Sequence, residues 1–115
     1  MSTATDEVLT ALADPTRRRV LTLLAERGEG TATTLAGELP ISRVAVVKHL
    51  AVLDRARLVG SRRQGREVRY SVRTEELEAT ARWMTDLAAQ WDRRLAALKR
   101  LAEEEAPPGG RGSLA

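Results

Sequence analysis

The stretch ISRVAVVKHLAVLDRARLVGSRRQGREVRYSV, residues 41–72, decides the fold, because the hydrophobic period changes inside it. In its first half Val46, Leu50 and Leu53 recur every three or four positions, the stripe of an amphipathic helix. Ser42 stands just before the stripe as a side-chain cap, with apolar Ile41 ahead of it, and a helix is expected over 42–57. In the second half Leu58 and Val59, then Val68, Tyr70 and Val72, alternate with polar residues at the strand period. Between the two runs lie Arg62, Arg63, Gln64, Gly65 and Arg66. Gly65 accepts a positive φ, so these residues form a hairpin turn. Two strands alone are marginal in water, so the hairpin must lean on helices, with Tyr70 read as core.

Upstream, Pro40 stops a short helix expected over 32–38, capped by Thr31 and carrying Leu35 and Leu39 as its apolar points. Asp14 followed by Pro15 is a cap and a first-turn proline; Val20, Leu21 and Leu24 follow at helical spacing until Gly28, which gives a helix over 15–27. Thr3 and Asp6 read as a capping box for a helix over 4–13 bearing Val8, Leu9 and Leu12. Downstream, Thr74, Glu75 and Glu76 start a long last helix, the acids suiting its positive end. There Leu77, Met84, Trp91 and Leu98 stand seven apart, with Leu87, Ala88 and Leu95 between them, a heptad-like seam. One domain over 1–105 is expected, followed by a disordered tail, APPGGRGSLA, over 106–115. The fold class is mainly α: about five helices plus a two-stranded hairpin.

Charge is uneven along the chain. Residues 41–73 hold nine Lys and Arg against two acids, a local balance of +7, between segments in which acids outnumber bases. A basic block between acidic flanks is the footprint of a polyanion partner. There is no cysteine and one histidine, which removes disulfides and thiolate sites and leaves no basis for a metal site or other cofactor. No apolar run approaches the roughly 20 residues that cross a bilayer, and the polar N-terminus shows no signal peptide, so a cytoplasmic location and no membrane partner are expected. No Gly-rich phosphate loop and no nucleophile beside a base occurs, so no enzyme is expected.

A short helix, a tight turn over 39–41 and a second helix make the helix-turn-helix layout, whose second helix enters the major groove of double-stranded DNA; the basic hairpin after it is a wing. With Val46, Leu50 and Leu53 inward, Arg43, Val44, Val47 and Lys48 face outward near the helix start. Arg43 suits the O6 and N7 of guanine, and Val44 and Val47 suit thymine methyls. Ser42 and the first backbone N–H groups suit a phosphate. Lys48 suits a base or a phosphate, and His49 is read as structural or as a phosphate contact. Arg62, Arg63, Arg66 and Arg69 are the wing's phosphate candidates. Arg17, Arg18 and Arg19 cannot all face one way, and pairing within the fold or plain solvation accounts for most of them.

The segments ALADPTRRRVLTLL (11–24), ISRVAVVKHLAVLDRARLV (41–59) and SRRQGREVRYSV (61–72) resemble the ArsR (ArsR/SmtB) family of bacterial winged-helix repressors. The resemblance covers about residues 4–100. It implies operator binding as a homodimer built on the first and last helices, and release of DNA when an inducer binds. That assigns Leu9, Leu12, Leu77, Met84, Leu87, Trp91, Leu95 and Leu98 to the dimer interface. Many members have a proline where Val44 stands and a hydroxyl where Val47 stands, so the resemblance carries the fold to this chain but not a base preference. The metal-sensing Cys and His clusters of the founding members are missing, so the chain resembles the metal-site-lacking branch. Trp83 and Trp91 have two readings, dimer packing or the lining of an unidentified small-molecule inducer pocket. The alternative functions are a metal or redox sensor of the same fold, which the composition opposes, and a protein-interaction module using the last helix, which leaves the basic block unexplained.

Overall fold

The computed structural model describes residues 2–105. Its order is α1 (Thr3–Leu12), α2 (Pro15–Arg27), α3 (Ala32–Ala36), α4 (Arg43–Arg55), β1 (Val59–Gln64), β2 (Glu67–Val72) and α5 (Glu75–Glu105). The expected tail, 106–115, lies outside the described residues. The chain divides into two units, residues 1–81 and 82–115.

In the first unit the helix starts follow local chemistry. The Asp14 carboxylate accepts the Thr16 and Arg17 N–H groups at 2.8 and 3.1 Å, Thr31 Oγ1 accepts Thr34 N–H, and Ser42 Oγ accepts Ala45 N–H. Gly28 ends α2 at φ 86°, a left-handed conformation that costs glycine nothing. The first helix corrects the expectation: its cap is Ser2, not Thr3. Ser2 Oγ accepts Thr5 N–H at 3.1 Å and shares a 2.9 Å hydrogen bond with the buried Thr5 hydroxyl. The Thr3–Asp6 box is replaced by a Ser2–Thr5 pairing one residue earlier, because burial of Thr5 rewards that register.

The end of α4 is a second correction. Arg57, expected inside the helix, has φ 61° and lies beyond its last turn. Leu58 N–H bonds Leu53 O at 2.9 Å, and Arg57 N–H bonds Asp54 O at 3.0 Å. This is a Schellman closure, and Leu53 and Leu58 are both buried in the core. Burial of Leu58 outweighs the modest cost of a left-handed arginine. Likewise α3 ends at Ala36, two residues earlier than expected, with Gly37 as its cap.

The strands pair antiparallel from Val59↔Val72 to Gln64↔Glu67, leaving Gly65 and Arg66 as a two-residue loop. Gly65 has φ 64° and Arg66 does not share that sign, the pattern of a type II′ hairpin. A bridge ties the hairpin to the turn after α2: Gly30 N–H bonds Tyr70 O at 3.0 Å and Tyr70 N–H bonds Gly30 O at 2.8 Å. Val8, Val20, Leu24, Leu35, Val46, Leu50, Leu53, Leu58 and Val59 are fully buried as the core. Leu12, Tyr70, Val72 and Leu77 are half-buried against it.

In the second unit, residues 82–105, α5 carries Met84, Leu87, Trp91, Leu95, Leu98 and Leu101 exposed. At 100° per residue these fall on one side of the helix over about 25 Å. Arg94 lies 5.4 Å over the Trp91 ring.

Candidate nucleic-acid interface

The packing of α4 sorts its residues. Val46, Leu50 and Leu53 are fully buried, while Arg43, Val44, Val47 and Lys48 are exposed. Val44 is 62 % exposed and Val47 38 %. Arg43 Nε donates to Thr33 Oγ1 at 3.1 Å, so α3 steadies the first side chain of α4. Lys48 is exposed. His49 is half-buried. The Asp14 carboxyl is held below its ordinary range, mainly by the Arg17 N–H, which outweighs an opposing effect of desolvation; the Thr16 N–H, the Arg17 charge and His49 add smaller contributions. Ser42 Oγ is engaged as the helix cap, which leaves its O–H free to donate.

Strand register divides the wing. Arg63 lies opposite Val68 and shares a face with Val68 and Tyr70; Arg62 lies opposite Arg69 on the other face. Val68, Tyr70 and Arg66 line an open cleft with Thr33, Arg43 and Val47, so the outward face of α4 and the inner face of the wing border one groove. Arg62 and Arg69 are engaged elsewhere. Arg62 Nη2 lies 3.1 Å from both Glu29 carboxylate oxygens, while Arg69 pairs with Glu67 at 3.2 Å and with Glu29 at 3.8 Å. Among the described residues, Arg63 and Arg66 have no carboxylate partner. Glu29, which sequence reasoning missed, therefore belongs to the wing. Its partners lie 33 and more residues away, and no local signal marks it.

The arginine run on α2 is structural in part. Arg17 donates to Ala11 O at 2.8 Å and Thr10 O at 3.3 Å, and Arg18 to Leu12 O at 2.6 Å. Both guanidiniums thus satisfy the last carbonyls of α1 and complement its negative end. Of the residues read as interface, Leu12 and Leu77 lie half-buried on the first unit's own core, Leu9 is half-buried on α1, and Met84, Leu87, Trp91, Leu95 and Leu98 are exposed. Among the described residues no three His, Cys, Asp or Glu side chains converge as metal ligands, and no helix is long and apolar enough to cross a membrane.

Two helices joined by a tight turn, followed by a basic hairpin, define a winged helix-turn-helix protein. A helix-turn-helix domain family matches residues 12–62. The chain is 33 % identical over 87 residues to the transcriptional repressor SdpR of Bacillus subtilis, covering 76 % of this chain and 96 % of that protein. It is 40 % identical over 100 residues to the HTH-type transcriptional regulator Rv2034 of Mycobacterium tuberculosis, covering 87 % of this chain and 90 % of that protein. An ArsR-like transcriptional regulator from Rhodococcus sp. RHA1 superposes with a TM-score of 0.78 at 45 % identity, covering 86 % of this chain and 92 % of that one. The chain belongs to the ArsR family of winged helix-turn-helix regulators, and it is a DNA-binding transcriptional regulator.

Proposed function

We propose that this protein is a transcriptional repressor that binds a palindromic operator as a homodimer in the cytoplasm and acts by occupancy, not by catalysis. The observation that carries the reading is the groove shared by α4 and the wing. Arg43 and Val47 of α4 and Arg66 of the hairpin line it, and Val44, Lys48 and Arg63 are exposed on the same two elements. The arrangement supports base reading by Arg43, Val44 and Val47 in the major groove, with Ser42, Lys48, Arg63 and Arg66 on phosphates. Repressor action is the stated role of the similar protein SdpR.

The homodimer is supported by the apolar side of α5. A run from Met84 to Leu101 in water is costly for a monomer and is satisfied by a second copy of the same helix. Two copies double the DNA surface and impose a two-fold operator with half-sites about one helical turn apart.

A gel-shift against the promoter of its own gene tests the function. Specific retention at ~200 mM salt in the presence of competitor DNA is expected. Equal loss of promoter and random DNA under those conditions removes the reading.

A further inference from the structure

We propose that Glu29 is a specificity-determining residue that withholds Arg62 and Arg69 from DNA, so that the wing presents two cations, Arg63 and Arg66, instead of four. The inference rests on the reading of the wing as a DNA contact.

Arg62 and Arg69 stand directly opposite each other across the hairpin, where like charges repel. Glu29 resolves that conflict from outside the hairpin: its two oxygens lie 3.1 Å from Arg62 Nη2, and one lies 3.8 Å from Arg69 Nη1. The placement is not incidental, since the next residue, Gly30, is bonded in both directions to Tyr70, the neighbour of Arg69. Arg69 is drawn inward: its side chain is 34 % exposed and its Nε is buried without a partner. Glu67 holds the other end of that guanidinium at 3.2 Å.

Non-specific DNA affinity follows the number of phosphates a protein neutralises, each adding about 0.9 to the log–log salt slope. An arginine already held by a carboxylate must give up that pairing before it takes a phosphate, so it adds little. Base contacts come from α4 and do not depend on Arg62 or Arg69. Glu29 therefore lowers binding to random DNA more than binding to the operator, and so raises the ratio between them.

The test is a fluorescence-anisotropy titration of the full chain with a promoter duplex and a random duplex across a salt series. Glu29→Gln is expected to tighten random-DNA binding on the order of tenfold at ~50 mM salt and to steepen the slope by about 1 to 2. Adding Arg62→Ala and Arg69→Ala to it restores the original slope. In the unaltered background, Arg62→Ala with Arg69→Ala leaves the random-DNA slope unchanged. A Glu29→Gln slope equal to or shallower than the parent overturns the proposal, because a purely structural role for Glu29 weakens binding and lowers the melting temperature without adding contacts. A double arginine variant that loses about 2 in slope overturns it as well, and this variant alters only partly exposed positions should Glu29→Gln not fold. Failure of the wing reading shows separately: Arg63→Ala with Arg66→Ala then leaves the slope unchanged.

Discussion

Arg43 Nε donates to the Thr33 hydroxyl at 3.1 Å, a bond between exposed side chains that joins the first residue of α4 to α3. The two terminal guanidinium nitrogens remain available for a guanine edge, and the bond limits the directions in which they point. Ordering a long side chain before binding reduces the entropy lost on contact.

Arg43→Ala is therefore expected to weaken promoter binding by about 1–3 kcal/mol while changing random-DNA affinity much less. Thr33→Val keeps the arginine and removes its anchor, and is expected to cost about 0.5–1.5 kcal/mol of promoter affinity. Competition titrations with promoter and random duplexes measure both; equal losses on the two DNAs remove Arg43 from base reading.

Arg57 occupies the left-handed region at φ 61° in the closure of α4. Arg57→Gly relieves a cost of roughly 1–2 kcal/mol and incurs about 0.5–1 kcal/mol of added chain entropy, so a net gain of about 0.5 kcal/mol is expected. Denaturant unfolding reads it. A loss of stability contradicts the Schellman assignment.

The lowered titration of Asp14 has a pH consequence. A carboxyl depressed in the fold stabilises the protein wherever it is ionised in both states, and this contribution is lost as pH falls through its unfolded and then its folded value. Asp14→Asn keeps an amide oxygen to cap α2 and removes the titration. The variant is expected to lose less stability than the parent between neutral and acid pH, by thermal melts across the series. Parallel pH curves for the two proteins exclude the assignment.

Leu95 is 59 % exposed on α5, so Leu95→Glu disturbs no core packing. Loss of dimer by light scattering is expected, with helix content by circular dichroism retained at concentrations where the parent is dimeric. Promoter binding is expected to fall with it, since one half-site gives only part of the contact area. A variant that stays dimeric refutes the seam along Met84, Leu87, Trp91, Leu95 and Leu98.

The amino-acid order alone determined the helix starts at Asp14, Thr31 and Ser42, the glycine positions at 28 and 65, the inward stripe of α4 and the basic wing. Each of these is a local event, a side chain reaching two or three residues along the chain or a repeating period that packing obeys. The tertiary structure decided the rest. Ser2 displaced Thr3 as a cap because Thr5 is buried, and Arg57 left the helix because Leu58 joins the core. The arginines were sorted only by folding: Arg17 and Arg18 to the carbonyls ending α1, Arg62 and Arg69 to Glu29, and Arg63 and Arg66 to neither. A guanidinium on a long flexible stem takes whichever acceptor the fold brings near, and sequence spacing carries no record of an acceptor 33 residues away.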